Sequence, residues 1–188
     1  VISTWCRGRE LLRRQLATAR APLQTFVRSR QARKAVRLPG TAVFLTRATN
    51  ETPPILAHHL AHHHVLHEQV VLLSVVRANQ PRVAARDRLS VKSIGAGFFQ
   101  VRVCYGFLQR RHIPAALRLA ERDGLVIDLD RVTYYLGHET PIPGRRIPGM
   151  AVWRERLYAF LARNAQRTAT FYGIPAQQVV ELGIEVEF

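Results

Sequence analysis

Six of the eight histidines fall within ten residues, and this cluster has the clearest chemical potential in the sequence. His58 and His62 are four residues apart, as are His59 and His63, and on a helix such pairs share a face on which neutral imidazoles can bind zinc. A closed zinc site needs further ligands, yet no cysteine pair or Glu-x-x-His lies nearby. We therefore prefer surface or structural histidines, and keep His58, His62 and His67 as the metal candidates. Imidazole also titrates near neutral pH, which leaves a pH-sensing role open.

The sequence lacks the residue patterns of nucleophilic catalysis and of catalysis by paired carboxylates. Cys104 lies in an alternating stretch of strand character, no Gly-x-Ser-x-Gly elbow occurs, and carboxylates are scarce. Gly95 and Gly97 could suggest a phosphate-binding loop, but no Gly-Lys-Ser/Thr follows and the next stretch resembles a strand, so a hairpin turn is the better interpretation. We therefore expect that the chain is not an enzyme and that it binds no cofactor.

Length and charge set broad limits on the protein. With 188 residues, the chain is long enough for one ordinary domain, or for one domain with an arm. The net charge is +15 with histidine neutral, and Lys34 and Lys92 are the only lysines. A strongly positive net charge is compatible with binding to nucleic acid, to anionic lipid or to an acidic protein partner, and it does not distinguish among these three. No apolar run reaches the roughly 18–20 residues of a membrane helix, and no signal peptide is visible.

The positive charge is densest in residues 1–39, which we interpret as a basic helical arm. Pro22 can start a short helix there, with Leu23, Phe26 and Val27 on one side. On a juxtamembrane interpretation, Trp5 lies at the interface and four arginines face anionic headgroups. Those four arginines are Arg7, Arg9, Arg13 and Arg14. Charge alone favours a solvated basic face packed on the domain.

The centre of the chain has the order of a parallel crossover unit. Residues Thr41 to Thr46 form a short apolar run of strand character after the Pro39-Gly40 breaker. Pro54 to Leu66 has helical spacing with proline at its start. His67 to Gln69 is a polar break, and Val70 to Val76 is a continuous apolar run typical of a strand buried on both faces.

The second half of the chain adds elements around this unit. The alternation before and after Gly95-Ala96-Gly97 predicts a β-hairpin. After the hairpin we expect two helices, two strands and a loop. These are a helix at Ala115 to Arg122, a strand at Val132 to Leu136, a loop at Pro141 to Pro148, a helix at Met150 to Ala165 and a closing strand at Val179 to Val186. The sequence thus predicts residues 40–188 as an α/β domain, with a mixed sheet of unreadable strand order built on a strand–helix–strand unit, a hairpin and packed helices.

Several segments, in order, resemble the cytosolic C-terminal domain of the KUP-type (HAK/KUP/KT) potassium uptake transporters. The strongest are GTAVFLT at Gly40–Thr46 and VLHEQVVLL at Val65–Leu73. Tyr105–Leu108 and the stretch from Gly149 to Glu187 also match the family's pattern. Ser3 to Leu12 resembles the point at which the family's chain leaves its last membrane helix.

This resemblance implies a function for the parent protein rather than for the chain alone. It implies potassium uptake coupled to protons across the plasma (inner) membrane, with the ion site in a covalently attached transmembrane domain and none of the ion ligands in this chain. The chain itself would be cytoplasmic and regulatory or structural. The resemblance further implies contact with anionic inner-leaflet lipids, and leaves open a homodimer and a cyclic dinucleotide ligand.

Two other functions compete with this one. A stand-alone basic soluble domain could bind a nucleotide or nucleic acid electrostatically, although no specific nucleic-acid motif is present. A histidine-dependent metal protein is the other. Retained stoichiometric zinc would favour the latter, and salt-sensitive DNA binding the former.

Overall fold

The computed structural model describes residues 22–47, 49–142 and 172–187, which form one six-stranded sheet with helices on both faces. The helices are α1 (Leu23–Arg28), α2 (Arg30–Lys34), α3 (Pro54–His63) and α4 (Ile113–Leu117). The strands are β1 (Val36–Leu45), β2 (Val65–Arg77), β3 (Leu89–Gly95), β4 (Phe98–Tyr105), β5 (Val132–Ile142) and β6 (Val179–Glu187). A 3-10 segment, Arg118–Asp123, extends α4.

The strand order is β3-β4-β2-β1-β5-β6. All neighbouring pairs are parallel except the antiparallel β3–β4 hairpin. The mixed α/β sheet, the parallel β1–α3–β2 unit, the hairpin and the closing strand are therefore confirmed. The order itself could not be read from the sequence.

The central strand β2 is buried on both sides because its apolar side chains alternate between two cores. Val71 and Leu73 belong to the core under α4, whereas Val70 and Leu72 belong to the core under α1, α2 and α3. This explains why β2 reads as a continuous apolar run rather than an alternating one. The sheet is consequently the middle layer between two helical layers.

Two predicted boundaries around β2 are wrong. The helix ends at His63 rather than Leu66, because His64 adopts the left-handed conformation (φ 56°) and its N–H bonds to the Leu60 carbonyl at 3.1 Å. The supposed break at His67 to Gln69 lies inside β2. Leu66 fitted the helical period, but its side chain is buried as a strand residue beside β1.

The first strand is longer than predicted. It begins at Val36 and passes through Pro39-Gly40, where the register with β2 shifts, instead of starting after them. Gly40 has φ 103°, and a Cβ there would lie 2.8 Å from the Arg131 carbonyl oxygen. The proline–glycine pair therefore produces an irregularity within the strand, not a boundary.

Residues 22–35 form two short helices that pack on the sheet. The predicted helix after Pro22 is confirmed as α1, and Ser29 separates it from α2 by accepting a hydrogen bond from the Ala32 N–H at 3.2 Å. Leu23 and Ala32 are buried in the same core as Phe44 of β1.

The predicted loop at Pro141 to Pro148 is strand at its first two residues, and its remainder lies outside the described residues, as does the predicted helix Met150 to Ala165. None of the described helices is both long and apolar enough to cross a bilayer.

Candidate functional site

The four histidines of α3 fall into two pairs on different faces of the helix. His58 and His62 are exposed and adjacent, with ring centroids 4.3 Å apart. His67 does not join them on the helix, since it lies on β2 and is half-buried. The structure therefore brings together two of the three residues named as metal candidates from the sequence, and places the third on another element.

A different set of rings surrounds Tyr135 of β5. His59 is 6% exposed, lies 5.0 Å from the Tyr135 ring centroid and stacks on His63 at 4.7 Å. His67 approaches the same tyrosine from β2 at 6.2 Å. Phe44 stacks on Tyr135 at 4.6 Å and lies 6.1 Å from the His59 ring. This histidine–aromatic cluster lies between α3 and the sheet, and sequence spacing missed it because β2 and β5 reach it only through the sheet order.

The histidine–aromatic cluster favours neutral imidazoles. Burial lowers the pKa of His59, and the nearby His63 and His67 lower it further because a second positive charge would be repelled. Burial likewise lowers the pKa of His67. In the part of the chain that the structure describes, Nε2 of His59 and Nδ1 of His67 are buried without a hydrogen-bond partner. Within the described residues, no three histidine, cysteine, aspartate or glutamate side chains are arranged to hold one metal ion.

Cationic side chains gather at the amino-terminal edge of the parallel strands. A cleft of about 310 Å³ opens between α1, α2 and the hairpin turn, with Arg28, Arg33 and Lys92 in its wall. A second cleft of about 370 Å³ lies across α2 and is lined by Arg30, Lys34 and the exposed His64, among others. Sequence composition suggested the cations of residues 22–37, but not that Lys92 of β3 would join them.

Arg37 has a structural role at this edge. Its Nη1 donates to the His67 carbonyl at 2.9 Å, and its Nη2 donates to the Ala96 carbonyl at 3.2 Å. Its guanidinium also lies over the Phe98 ring at 5.5 Å, within the range of a cation–π contact. Arg37 therefore fixes the hairpin turn to the beginning of β1 and β2, and the other cations are left to face solvent.

The loops at the opposite edge are held by an amide network. The Oε1 of Gln109 accepts from the N–H groups of Gly106 (2.8 Å) and Val83 (3.0 Å), and its Nε2 donates to the Val83 carbonyl at 3.0 Å. Tyr105 donates its hydroxyl to the His112 carbonyl at 2.9 Å. Cys104 is a free thiol on β4, as expected from its sequence context. The four arginines predicted to contact lipid, Arg7, Arg9, Arg13 and Arg14, lie outside the described residues.

Comparison with known proteins places these features in a family context. Residues 39–188 match the family model described as the K+ potassium transporter C-terminal domain. The whole chain is 46% identical over 187 residues to a probable potassium transport system protein, Kup 1, of Geobacter sulfurreducens, and covers 30% of that protein. Over 184 residues it is 46% identical to the Kup protein of Nitrosomonas eutropha, with 98% of this chain and 29% of that protein covered. The Kup 1 protein of Paramagnetospirillum magneticum is 42% identical over 188 residues, which are 100% of this chain and 29% of that protein. No solved structure matches this chain.

Proposed function

Because the chain belongs to the K+ potassium transporter C-terminal domain family, we propose that it is the cytosolic C-terminal part of a potassium uptake transporter. The observation that carries this proposal is the match to potassium transport proteins along the full length of the chain. The chain spans about 30% of the length of these relatives. The remaining length would hold the transmembrane domain, and with it the ion site and the coupling to protons.

The chain's own part in transport would be regulatory or structural rather than enzymatic. It would lie on the cytoplasmic side of the plasma (inner) membrane, joined to the transporter by the basic arm of residues 1–39. In that arm, Arg7, Arg9, Arg13 and Arg14 would contact anionic inner-leaflet lipids, as positively charged juxtamembrane segments do. The family resemblance leaves open a homodimer and a cyclic dinucleotide ligand. Light scattering of the purified parent and calorimetric titration with the dinucleotide test these two points.

The decisive experiment measures potassium uptake by the parent polypeptide in cells that lack other potassium uptake, with and without residues Gly40 to Phe188. We expect the complete parent to move potassium. Altered uptake by the shortened parent, at an equal amount of inserted protein, would assign this domain a regulatory role. Unchanged uptake would limit the domain to assembly or stability.

A parent that inserts normally and moves no potassium would contradict the proposed function. Acidifying the external medium provides the test of symport, because proton-coupled uptake should rise with the inward proton gradient. Uptake that does not respond to that gradient would remove proton coupling from the proposal while leaving potassium transport in place.

A further inference from the structure

The clefts on either side of α2 form one basic surface, composed of Arg28, Arg30, Arg33, Lys34 and Lys92. All five side chains are exposed. Residues 22–38 contain no aspartate or glutamate, and no carboxylate lines either cleft among the described residues. Within the described part of the chain, none of the five forms an ion pair, whereas Arg86 and Asp87 elsewhere do. The basic surface is therefore complementary to an anionic partner.

The basic surface is preformed rather than assembled from flexible segments. Arg37 ties the hairpin turn to β1 and β2 through two backbone carbonyls, and this places Lys92 opposite Arg28 and Arg33. Leu23, Val27 and Ala32 anchor the helices that carry the arginines in the core. Little order has to be gained when a ligand binds, which lowers the entropic cost of binding.

Apolar side chains adjoin these cations. Val36 is 63% exposed and Leu38 is 38% exposed, and both follow α2 directly on β1. The N–H of Val36 donates to the His64 carbonyl at 3.2 Å, so this valine lies beside the second cleft. Exposed apolar groups among cations match the boundary between lipid headgroups and acyl chains, where both kinds of group are accommodated.

The aromatic rings near the clefts do not favour a nucleic acid. Single-stranded nucleic acids are bound by cationic grooves that offer free aromatic faces for base stacking. Phe26 and Phe98 instead pack edge-to-face against each other, with ring centroids 6.4 Å apart, and Phe98 is buried. A ligand that offers negative charge and apolar chains fits the surface better than one that offers bases.

We propose that the basic surface docks on the anionic phospholipid headgroups of the membrane, at a site separate from Arg7, Arg9, Arg13 and Arg14. This inference rests on the proposed function, since it requires a chain attached to a membrane. The helices α1 and α2 lie within the basic arm of residues 1–39 that would lead to the transporter, so they are the described elements closest to the attachment along the chain. Docking would fix the orientation of the domain under the transporter.

Vesicle sedimentation of the full 188-residue chain tests the docking. Vesicles contain phosphatidylcholine with or without phosphatidylglycerol, and Arg7, Arg9, Arg13 and Arg14 are replaced by glutamine throughout to remove the contribution of these four arginines. We expect binding only to the anionic vesicles, weakened by salt. The triple substitution Arg28→Gln, Arg33→Gln, Lys92→Gln should weaken it by roughly a hundredfold, because each basic residue near such a surface contributes about fivefold.

The matched control removes three exposed charges that lie away from the basic surface, in α4's 3-10 extension and in the loop before α4: Arg110→Gln, Arg118→Gln and Arg122→Gln. The helix α4 and its 3-10 extension pack on the other face of the sheet, so the control should leave vesicle binding within about twofold, although the net charge falls equally. An equal loss in both triples would overturn the proposal, since bulk charge would then explain the binding. Should the site triple unfold, the charge-conserving pair Arg28→Lys, Arg33→Lys decides, because docking requires that it still binds.

Competition experiments separate the sources of negative charge. Inorganic phosphate at millimolar concentration should not release the protein from vesicles, and release would overturn docking in favour of a free-anion site. Loss of single-stranded DNA binding in the site triple, with vesicle binding intact, would overturn it in favour of nucleic acid. Potassium uptake by the complete parent is measured in parallel. Vesicle docking without uptake would contradict the proposed function only, and uptake by a parent whose domain ignores anionic vesicles would contradict this inference only.

Discussion

At the scale of single residues, His59 shows how a side chain's surroundings rather than its position in the sequence decide its chemistry. His59 and His63 have the same four-residue spacing as His58 and His62. His59 nevertheless faces Tyr135 and Phe44, whereas His58 and His62 face solvent. A neutral imidazole suits this place, because burial disfavours a charge and the buried Nε2 has no hydrogen-bond partner among the described residues. The residue-scale consequence is a dependence of stability on pH.

We predict that the domain loses stability as the pH falls below about 6.5, the ordinary pKa of the buried His59 and the half-buried His67. Their folded-state pKa values are lowered, so below 6.5 the unfolded chain binds protons that the folded chain does not. The stabilisation is complete above that pH and declines as the pH falls toward the folded-state values. Urea unfolding midpoints measured from pH 8 down to pH 5 provide the check.

The variant His59→Phe should flatten this decline, because phenylalanine fills the same aromatic site and cannot take up a proton. The exposed His58→Phe on the same helix is the control, and it should keep the wild-type slope. Identical slopes for His59→Phe and the wild type would show that the acid sensitivity arises elsewhere.

At the scale of elements, the β3–β4 hairpin combines a sequence signal with a tertiary constraint. Both of its turn residues have positive φ, 53° at Ala96 and 79° at Gly97, as a two-residue type I′ turn requires. The glycine is also needed for space, since a Cβ at Gly97 would lie 2.2 Å from the Glu68 carbonyl oxygen of β2. Ala96 also adopts the left-handed conformation, which is strained for a residue that has a Cβ.

We therefore predict opposite effects for two substitutions in this turn. Gly97→Ala should destabilise the domain by about 2 kcal/mol or more, because it adds left-handed strain and forces the hairpin away from β2. Ala96→Gly should be neutral or stabilising by up to about 1 kcal/mol, because it relieves the strain. Chemical unfolding of both variants measures the difference, and a destabilising Ala96→Gly with a tolerated Gly97→Ala would contradict the turn as described.

At the scale of the whole molecule, α1 and α2 belong to the packed structure, although the sequence suggested dividing the chain at residue 40. Leu23, Val27 and Ala32 are buried against the face of the sheet that also receives α3. The N–H of Leu23 donates to the Asn50 carbonyl at 3.1 Å, which ties this segment to the β1–α3 connection. Removing the segment would expose that face of the sheet.

A chain of residues 40–188 should accordingly be less stable than one of residues 22–188 by at least about 3 kcal/mol, the contribution of burying one leucine and one valine. A loss of that size is a large fraction of the stability of an ordinary domain. Unfolding of the two truncated chains under identical conditions provides the comparison. Equal midpoints would support residue 40 as the true start of the domain.

Local signals in the sequence determined the type and approximate place of most elements. The apolar run of β2, the proline at the start of α3 and the glycine turn of the hairpin all act through neighbouring residues, so the chain reveals them without a fold. The resemblance in Gly40–Thr46 and Val65–Leu73 likewise led to the family, because it depends on the order of residues alone. The basic character of residues 22–37 was equally visible.

Only the tertiary structure decided which of these elements meet. The strand order sets β1 beside β5 and so brings Tyr135 to His59 and His67. The clasp of Arg37 on the hairpin turn brings Lys92 to the arginines of α1 and α2. The helix of the histidines stops at His63 because His64 adopts the left-handed conformation and Val65 already pairs with Val36 in the sheet. Contacts between residues far apart in sequence depend on how the two cores are filled, and no local periodicity carries that information.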